Sequence, residues 1–321
     1  MIENYKFDGS SKLDLKKLPT NSKKDHINKQ TIIQETEANQ LKIQSLQEKL
    51  YAQGIEGLII VLQARDAAGK DATIKHVLSG INPQGIDVHS FKQPTHEELA
   101  HDFLWRFNKA LPRRGKIAIF NRSYYEEVLV VKVHQLYKNY ALPQKDKEDN
   151  YIQRRYEQIN NYEKYLEQNG YRIIKIFLNV SKETQKERFL ERIDQPDKNW
   201  KFSEADLSER GLWDQYTDAY EKAINATATK HNPWYVIPAD QKWYARYLVS
   251  DAILKVLEKI DPKYPTLSKE QIDKLAIYKA ALEGEKPNST SFQATAAEVK
   301  AADESIDKDK AVQTSLDTEN S

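Results

Sequence analysis

Cysteine is absent from the 321 residues, which excludes disulfides and thiolate metal sites and fits a reducing compartment. An excess of one charge is missing too. Lys and Arg number 49 against 48 Asp and Glu, a formal net charge of +1, so no global basic signal points to nucleic acid or to an anionic membrane. No apolar run approaches the length of a bilayer span, and the opening MIENYKFDGSSKLDLKKLP has no signal core, so a cytoplasmic protein without a membrane anchor is expected. The seven histidines include no i, i+4 pair of the kind that holds zinc from a helix. The chain is 39% hydrophobic and 30% charged, enough for one large α/β domain with extensions or for two small domains.

The most informative stretch runs from Gly57 to Lys75. Leu58–Leu62 is a short run of branched apolar residues and predicts a buried strand. A small-residue turn, Ala64 to Gly69, leads to Lys70 and to a segment that can begin a helix. Strand, small loop, Gly-Lys and helix are the parts of a phosphate-binding loop. There the backbone around Ala67, Ala68, Gly69 and Asp71 and the positive helix N-terminus face an anion, and Lys70 adds a full charge. The pattern departs from G-x-x-x-x-G-K-[ST]: Ala64 replaces the first glycine and Asp71 the Ser/Thr that would hold magnesium. An ordinary strand–helix turn is the plain alternative. Asp66 is the oddity in a phosphate loop, because a carboxylate among phosphates is repulsive unless a metal lies between, which points to Mg²⁺.

Residues 1–28 are polar and lysine-rich, and suggest a flexible arm or a segment ordered against another subunit. Apolar spacing predicts helices over 29–52, 97–111, 151–169, 182–193 and 243–260, and strands at 86–91, 117–120, 173–178 and within 233–238. A domain at 29–262 follows, with a tail at 263–321. Leu267–Leu282 allows one more helix. From Asn288 onward seven acids, three lysines and a single aromatic leave too little apolar surface to offset ordering, so disorder is expected.

Five strands alternating with helices predict a three-layer parallel sheet of the P-loop kinase type. Ligands in such sheets bind beyond the carboxyl ends of the strands, which puts Asn121, Arg122 and Glu126 near the loop if the 117–120 strand is its neighbour. Arg122 would be a fixed cation for phosphate oxygens, while Asn121 and Glu126 could order water around Mg²⁺. Arg188 and Arg192 share a helix face, and Lys198 and Lys201 follow in a charged segment with aromatics. Together they could form a cationic lid, or an ordinary helix connection. Trp213, Tyr216 and Tyr220, at helical spacing, are expected mainly in the core.

Four blocks resemble the polyphosphate kinase 2 family: Ala64-Arg65-Asp66-Ala67-Ala68-Gly69-Lys70-Asp71, Phe91-Lys92-Gln93-Pro94-Thr95, Phe120-Asn121-Arg122-Ser123-Tyr124-Tyr125-Glu126 and Pro233-Trp234-Tyr235-Val236-Ile237-Pro238. The resemblance runs from about Lys29 to Ile260. It implies reversible transfer of a terminal phosphoryl group between inorganic polyphosphate and an adenine or guanine nucleotide with Mg²⁺, in a homodimer or homotetramer. By position, Asp66 would bind magnesium or orient the acceptor, Lys70 would hold the transferred group and Arg122 would steady it. Asn121 stands where many members have Asp, so metal binding is not carried over to it. Glu126 and the Val-Leu-Val-Val run after it resemble the third class, which phosphorylates both nucleoside mono- and diphosphates. A polymer with one charge per phosphate needs a track of cations, for which Lys75, Lys92, Arg113, Arg114 and Lys132 are candidates. The rival readings are an ordinary ATP-dependent kinase, which Ala64 and Asp71 disfavour, and a non-catalytic polyphosphate binder, in which Asp66 would have no purpose.

Overall fold

The segment expected to be a flexible arm lies against the body of the protein. In the computed structural model, which describes residues 1–23, 25, 27–147 and 150–284, Ile2, Tyr5, Leu13 and Leu15 are buried. Strand β1 (Lys6–Phe7) pairs antiparallel with a later strand, and Leu13 N–H and Leu15 N–H donate to Asn225 and Glu221 at 2.8 and 2.9 Å. Four widely spaced apolar anchors hold an otherwise polar stretch, and such spacing leaves no periodic signal in the sequence.

Helix α1 (Lys29–Gln53) is capped at its start by Asn28 and ends at Gly54, whose φ of 66° only a residue without Cβ adopts at little strain. Strand β2 (Gly57–Ala64) is buried along its whole length and feeds helix α2 (Lys70–Val77). Strand β3 (Ile86–Ser90) follows. The single helix expected over 97–111 is two short ones, α3 (His96–Ala100) and α4 (Trp105–Asn108), because His101 is extended and Asp102 accepts from Leu104 N–H to start a new turn. Strand β4 (Ile117–Asn121), helix α5 (Val130–Val133) and helix α6 (Tyr151–Gln168) come next. Strand β5 (Tyr171–Asn179), helix α7 (Lys182–Asp194), helix α8 (Glu204–Gly211) and helix α9 (Trp213–Thr227) precede strand β6 (Trp234–Pro238) and helix α10 (Lys242–Ile260).

The sheet has six strands, not five, in the order β1-β6-β5-β2-β4-β3, and every pairing but β1–β6 is parallel. Alternate β2 side chains serve two cores. Leu58, Ile60 and Leu62 join α1, α2 and α10 on one face; Ile59 and Val61 join α6 and α9 on the other. Three layers result. A second unit, Pro265–Ser321, contains helix α11 (Lys269–Glu283), started by a capping box between Ser268 and Gln271. The disorder expected from Asn288 onward lies outside the described residues. Among the described residues no helix is long and apolar enough to cross a membrane.

Candidate active site

Parallel register brings two loops together. Leu62 of β2 lies opposite Asn121 of β4, and Arg122 N–H donates to Leu62 O at 3.1 Å, so the turns after both strands open at one end of the sheet. Both turns use backbone that side chains rarely adopt: φ is 58° at Ala67, 100° at Gly69 and 64° at Arg122. Such strained residues persist only where their surroundings fix them. The Arg122 conformation turns its guanidinium back over the 64–70 loop. Its Nη2 lies 2.9 Å from Asp66 Oδ1 and its Nη1 3.5 Å from Glu126 Oε2.

Lys70 begins α2 and donates from Nζ to Ala64 O at 3.2 Å. Burial, then the Arg122 charge, hold its pKa below the usual lysine range, against Asp66, Glu126 and Asp71. The Glu126 charge raises the Arg122 pKa. Burial raises that of Glu126, opposed by Arg122 and Lys70. Lys70, Arg122, Asp66, Glu126 and Asp71 act on one another as a single charged group. Asn121 Nδ2 donates to Asp71 Oδ1 at 2.6 Å, leaving its Oδ1 buried without a partner. Ala67 and Ala68 are buried beneath the turn, and Gly69 caps α2.

A cavity of about 250 Å³ adjoins this group. Its walls include Asp66, Arg122 and Glu126 on one side, and Asp206, Glu209 and Arg210 of α8 with Trp213 and Tyr216 of α9 on the other. Helix α8, across the cavity from Asp66, presents two acids, Asp206 and Glu209, rather than a set of cations. Burial, then the Asp66 charge, raise the Asp206 pKa, as expected when two carboxylates share one space. Glu209 accepts from Tyr216 OH at 2.5 Å and lies 3.0 Å from His134 Nε2. Arg65 packs its guanidinium 4.2 Å from the centre of the Trp213 ring and donates to Thr217 Oγ1 at 2.6 Å. Burial pushes its pKa down to about 10.

The structure redistributes the expected lid and channel residues. Arg188 does not face the cavity as a free cation; it is buried and donates to four backbone carbonyls, at Ala67, Ala68, Ala239 and Asp240. Arg192 donates to Lys201 O and to Asp206 Oδ2 at 3.2 and 3.4 Å, Lys198 pairs with Glu191, and Lys201 sits over the Trp200 ring. Arg113 and Arg114 precede β4, so they lie at the opposite end of the parallel strands from Asp66 and Arg122. Five residues of strand separate them from the site, roughly 16 Å at the usual rise, and Arg114 donates to Asn169 O there. These two lie at the far end of β4 from Asp66 and Arg122 and not beside them. Lys75 and Lys92 are exposed on elements that start or end at the site, and Lys132 pairs with Asp218 at 3.2 Å.

The sequence singles out none of Arg65, Gln185, Asp206, Glu209 and Arg210 as site residues, and its spacing assigns Trp213 and Tyr216 mainly to the core, whereas both line the cavity. Their one available signal was the i, i+3 spacing of Trp213 and Tyr216, which equally fits a core face.

Comparison with known proteins gives the arrangement its context. The family described as Polyphosphate kinase 2 (PPK2) matches residues 26–265. An ADP-polyphosphate phosphotransferase of Rhodopseudomonas palustris is 46% identical over 265 residues, 82% of this chain and 92% of that protein. An AMP/ADP-polyphosphate phosphotransferase of Meiothermus ruber is 42% identical over 265 residues, 82% of this chain and 96% of that protein. The crystal structure of Polyphosphate Kinase 2 from Arthrobacter aurescens TC1 superposes with a TM-score of 0.75 at 36% identity, covering 84% of this chain and 94% of that one. Sequence, fold and the match over most of the chain agree: this protein belongs to the polyphosphate kinase 2 family.

Proposed function

We propose that the chain transfers the terminal phosphoryl group of inorganic polyphosphate to nucleoside mono- and diphosphates, AMP to ADP to ATP, reversibly and with Mg²⁺. The observation that carries this reading is the meeting of Asp66, Lys70 and Arg122 at the ends of neighbouring parallel strands, beside a cavity of about 250 Å³. Phosphoryl transfer spreads negative charge over oxygens, and the protein contributes chiefly position and countercharge. Lys70, at the head of α2, holds the transferred group. Arg122 neutralises the oxygens that gain charge, its planar fork shared until then between Asp66 and Glu126. The 64–70 segment acts as a P-loop.

The donor set suits magnesium. Among the described residues no three acidic or imidazole groups converge as a cage, whereas Mg²⁺ takes one or two carboxylates and completes its shell with water and substrate phosphates. Asp66, with Asp206 across the cavity, would hold it. Bound there, the ion would screen phosphate oxygens from Asp66. Acceptance of both AMP and ADP rests on the likeness to the Meiothermus ruber relative and on Glu126. The catalytic domain is residues 29–262, in a cytoplasmic homodimer or homotetramer.

Incubation with long-chain polyphosphate, Mg²⁺ and either AMP or ADP, followed by ion-exchange chromatography, tests the reading. ATP from both acceptors, with ADP appearing first from AMP, is expected. ATP from ADP alone would remove AMP from the acceptors. Transfer seen only with ATP as donor would overturn the polyphosphate assignment.

A further inference from the structure

Three consecutive carbonyls of the 64–70 loop point to one helix. Gln185 Nε2 donates to Asp66 O at 3.0 Å, and Arg188 Nη1 donates to Ala67 O and Ala68 O, each at 2.9 Å. Both side chains belong to α7 and are buried, 3% and 9% exposed. Arg188 is fixed at its other end as well, since Nη2 donates to Ala239 O and Asp240 O just beyond β6 at 2.7 and 2.9 Å. A planar peptide carries its C=O and N–H on opposite sides. Carbonyls drawn to α7 therefore turn the N–H groups of Ala67 and Gly69 the other way, toward the end of the sheet where Lys70 and Arg122 meet. The left-handed Ala67 is the conformation that such a turn requires, and nothing in an alanine favours it.

Gln185 also reaches helix α8. Its Oε1 accepts from Arg210 Nη1 at 2.9 Å, and the same nitrogen donates to Lys182 O at 2.8 Å. Arg210 is part of α8 and of the cavity wall. One amide side chain thus bonds the backbone of Asp66 on one side and helix α8 on the other.

We propose that Gln185 and Arg188 are positioning residues for phosphoryl transfer: they set the peptide orientation of the 66–68 turn that receives phosphate, and Gln185 links the placement of Asp66 to that of helix α8. The inference rests on the reading of the 64–70 segment as the phosphate loop. It assigns Arg188 to the loop's backbone instead of to substrate. It also gives the unannounced Gln185 a place in the reaction without contact with the reacting atoms.

The test is steady-state transfer from polyphosphate to ADP by Gln185→Leu, Gln185→Glu and Arg188→Lys, with melting curves and amide hydrogen exchange of residues 66–70. Gln185→Leu should lower kcat by about 10-fold to 100-fold, the scale of small misplacements, with the KM for ADP changed less than about twofold. Exchange at 66–70 should quicken while that of Leu58–Leu62 in β2 holds. Gln185→Glu, which keeps the shape but sets an acceptor against Asp66 O, should behave alike. Arg188→Lys should shift exchange at Ala68 and Gly69. A folded Gln185 variant with unchanged kcat and unchanged exchange would overturn the proposal. So would a loss of kcat that merely follows the unfolded fraction. Lys70→Ala, run in parallel, separates the two failures, since turnover surviving that change would remove the loop's role itself.

Discussion

Two clusters of charge are built on the same sheet, one buried and one partly open, and they are built differently. Inside the core, Lys175 Nζ of β5 bonds Glu163 Oε2 and Thr227 O, both at 2.7 Å, and Tyr125 OH at 3.2 Å. Glu163 Oε1 accepts from Tyr124 and Tyr125 at 3.0 and 2.8 Å. Lys175 is 0% exposed and Glu163 1%, and all three ammonium protons of Lys175 have a partner. At the sheet's end the Arg122 guanidinium spans Asp66 and Glu126, Lys70 bonds a single carbonyl, and Asn121 Oδ1 and Arg65 Nε lack partners. The closed cluster fixes position, because its groups have one arrangement that satisfies them. The open cluster leaves donors on Lys70 Nζ for oxygens that arrive with substrate. The two are joined covalently. Tyr124 and Tyr125, tied down by Glu163, lie between Arg122 and Glu126.

Removing one partner from each cluster gives the sharpest contrast. Lys175→Met leaves Glu163 buried without a counter-charge and should lower stability by about 3–5 kcal/mol, read as the urea midpoint; adding Glu163→Leu should restore most of it. Unchanged stability in the single variant would show that the core pair is dispensable. Lys70→Ala should do the reverse. It relieves a desolvated charge, so the midpoint should hold or rise, while kcat falls by about 10² to 10³-fold. A full kcat in that variant would break the distinction between the clusters.

The third test uses pH. Burial holds the Glu126 pKa above that of an exposed glutamate, so the folded state binds its proton more tightly than the unfolded chain does. Stability from this group is present below the ordinary glutamate range and is lost as pH rises through the raised value. Glu126→Gln should therefore gain stability over the parent as pH increases from acid to neutral, measured as a widening difference in Tm without ligand. A constant difference would show that the carboxyl titrates normally. The smallest effect is expected farthest from the open cluster. Arg113→Ala with Arg114→Ala should leave the KM for long-chain polyphosphate within about twofold, whereas Lys75→Ala with Lys92→Ala should raise it at low salt. The opposite ranking would place the polymer at the other end of the strands.

Much of this arrangement was legible in sequence, and the parts that were not share a cause. The 57–75 stretch could be read because strand, small loop and Lys70 are local signals, and Asp66 is an anomaly that only a metal or a partner cation resolves. Arg122 could be read because the residue after a buried strand must lie at the sheet's carboxyl end. The same rule places Arg113 and Arg114, which precede their strand, at the far end, though their charge was expected to serve a polyanion's track. Arg188 and Arg192 do share a helix side, yet periodicity says nothing about what that side meets, and for Arg188 it meets carbonyls. The acids of α8 and the partners of Lys175 depend on contacts more than ten residues apart, which no local pattern encodes. Likewise Ile2, Tyr5, Leu13 and Leu15 are too sparse to betray a packed segment.

That segment bears on how copies of the protein meet. Strand β6 is an unbroken apolar run, Trp234 to Pro238, and its outer side would offer unpaired N–H and C=O groups to any extended chain nearby. Lys6 and Phe7 occupy that side, opposite Tyr235 and Trp234. Two residues are too short to template a further strand, and Lys6 brings charge to the new margin. The opening of the chain thus works as a hem: it finishes the sheet where it would otherwise fray into intermolecular pairing and aggregation.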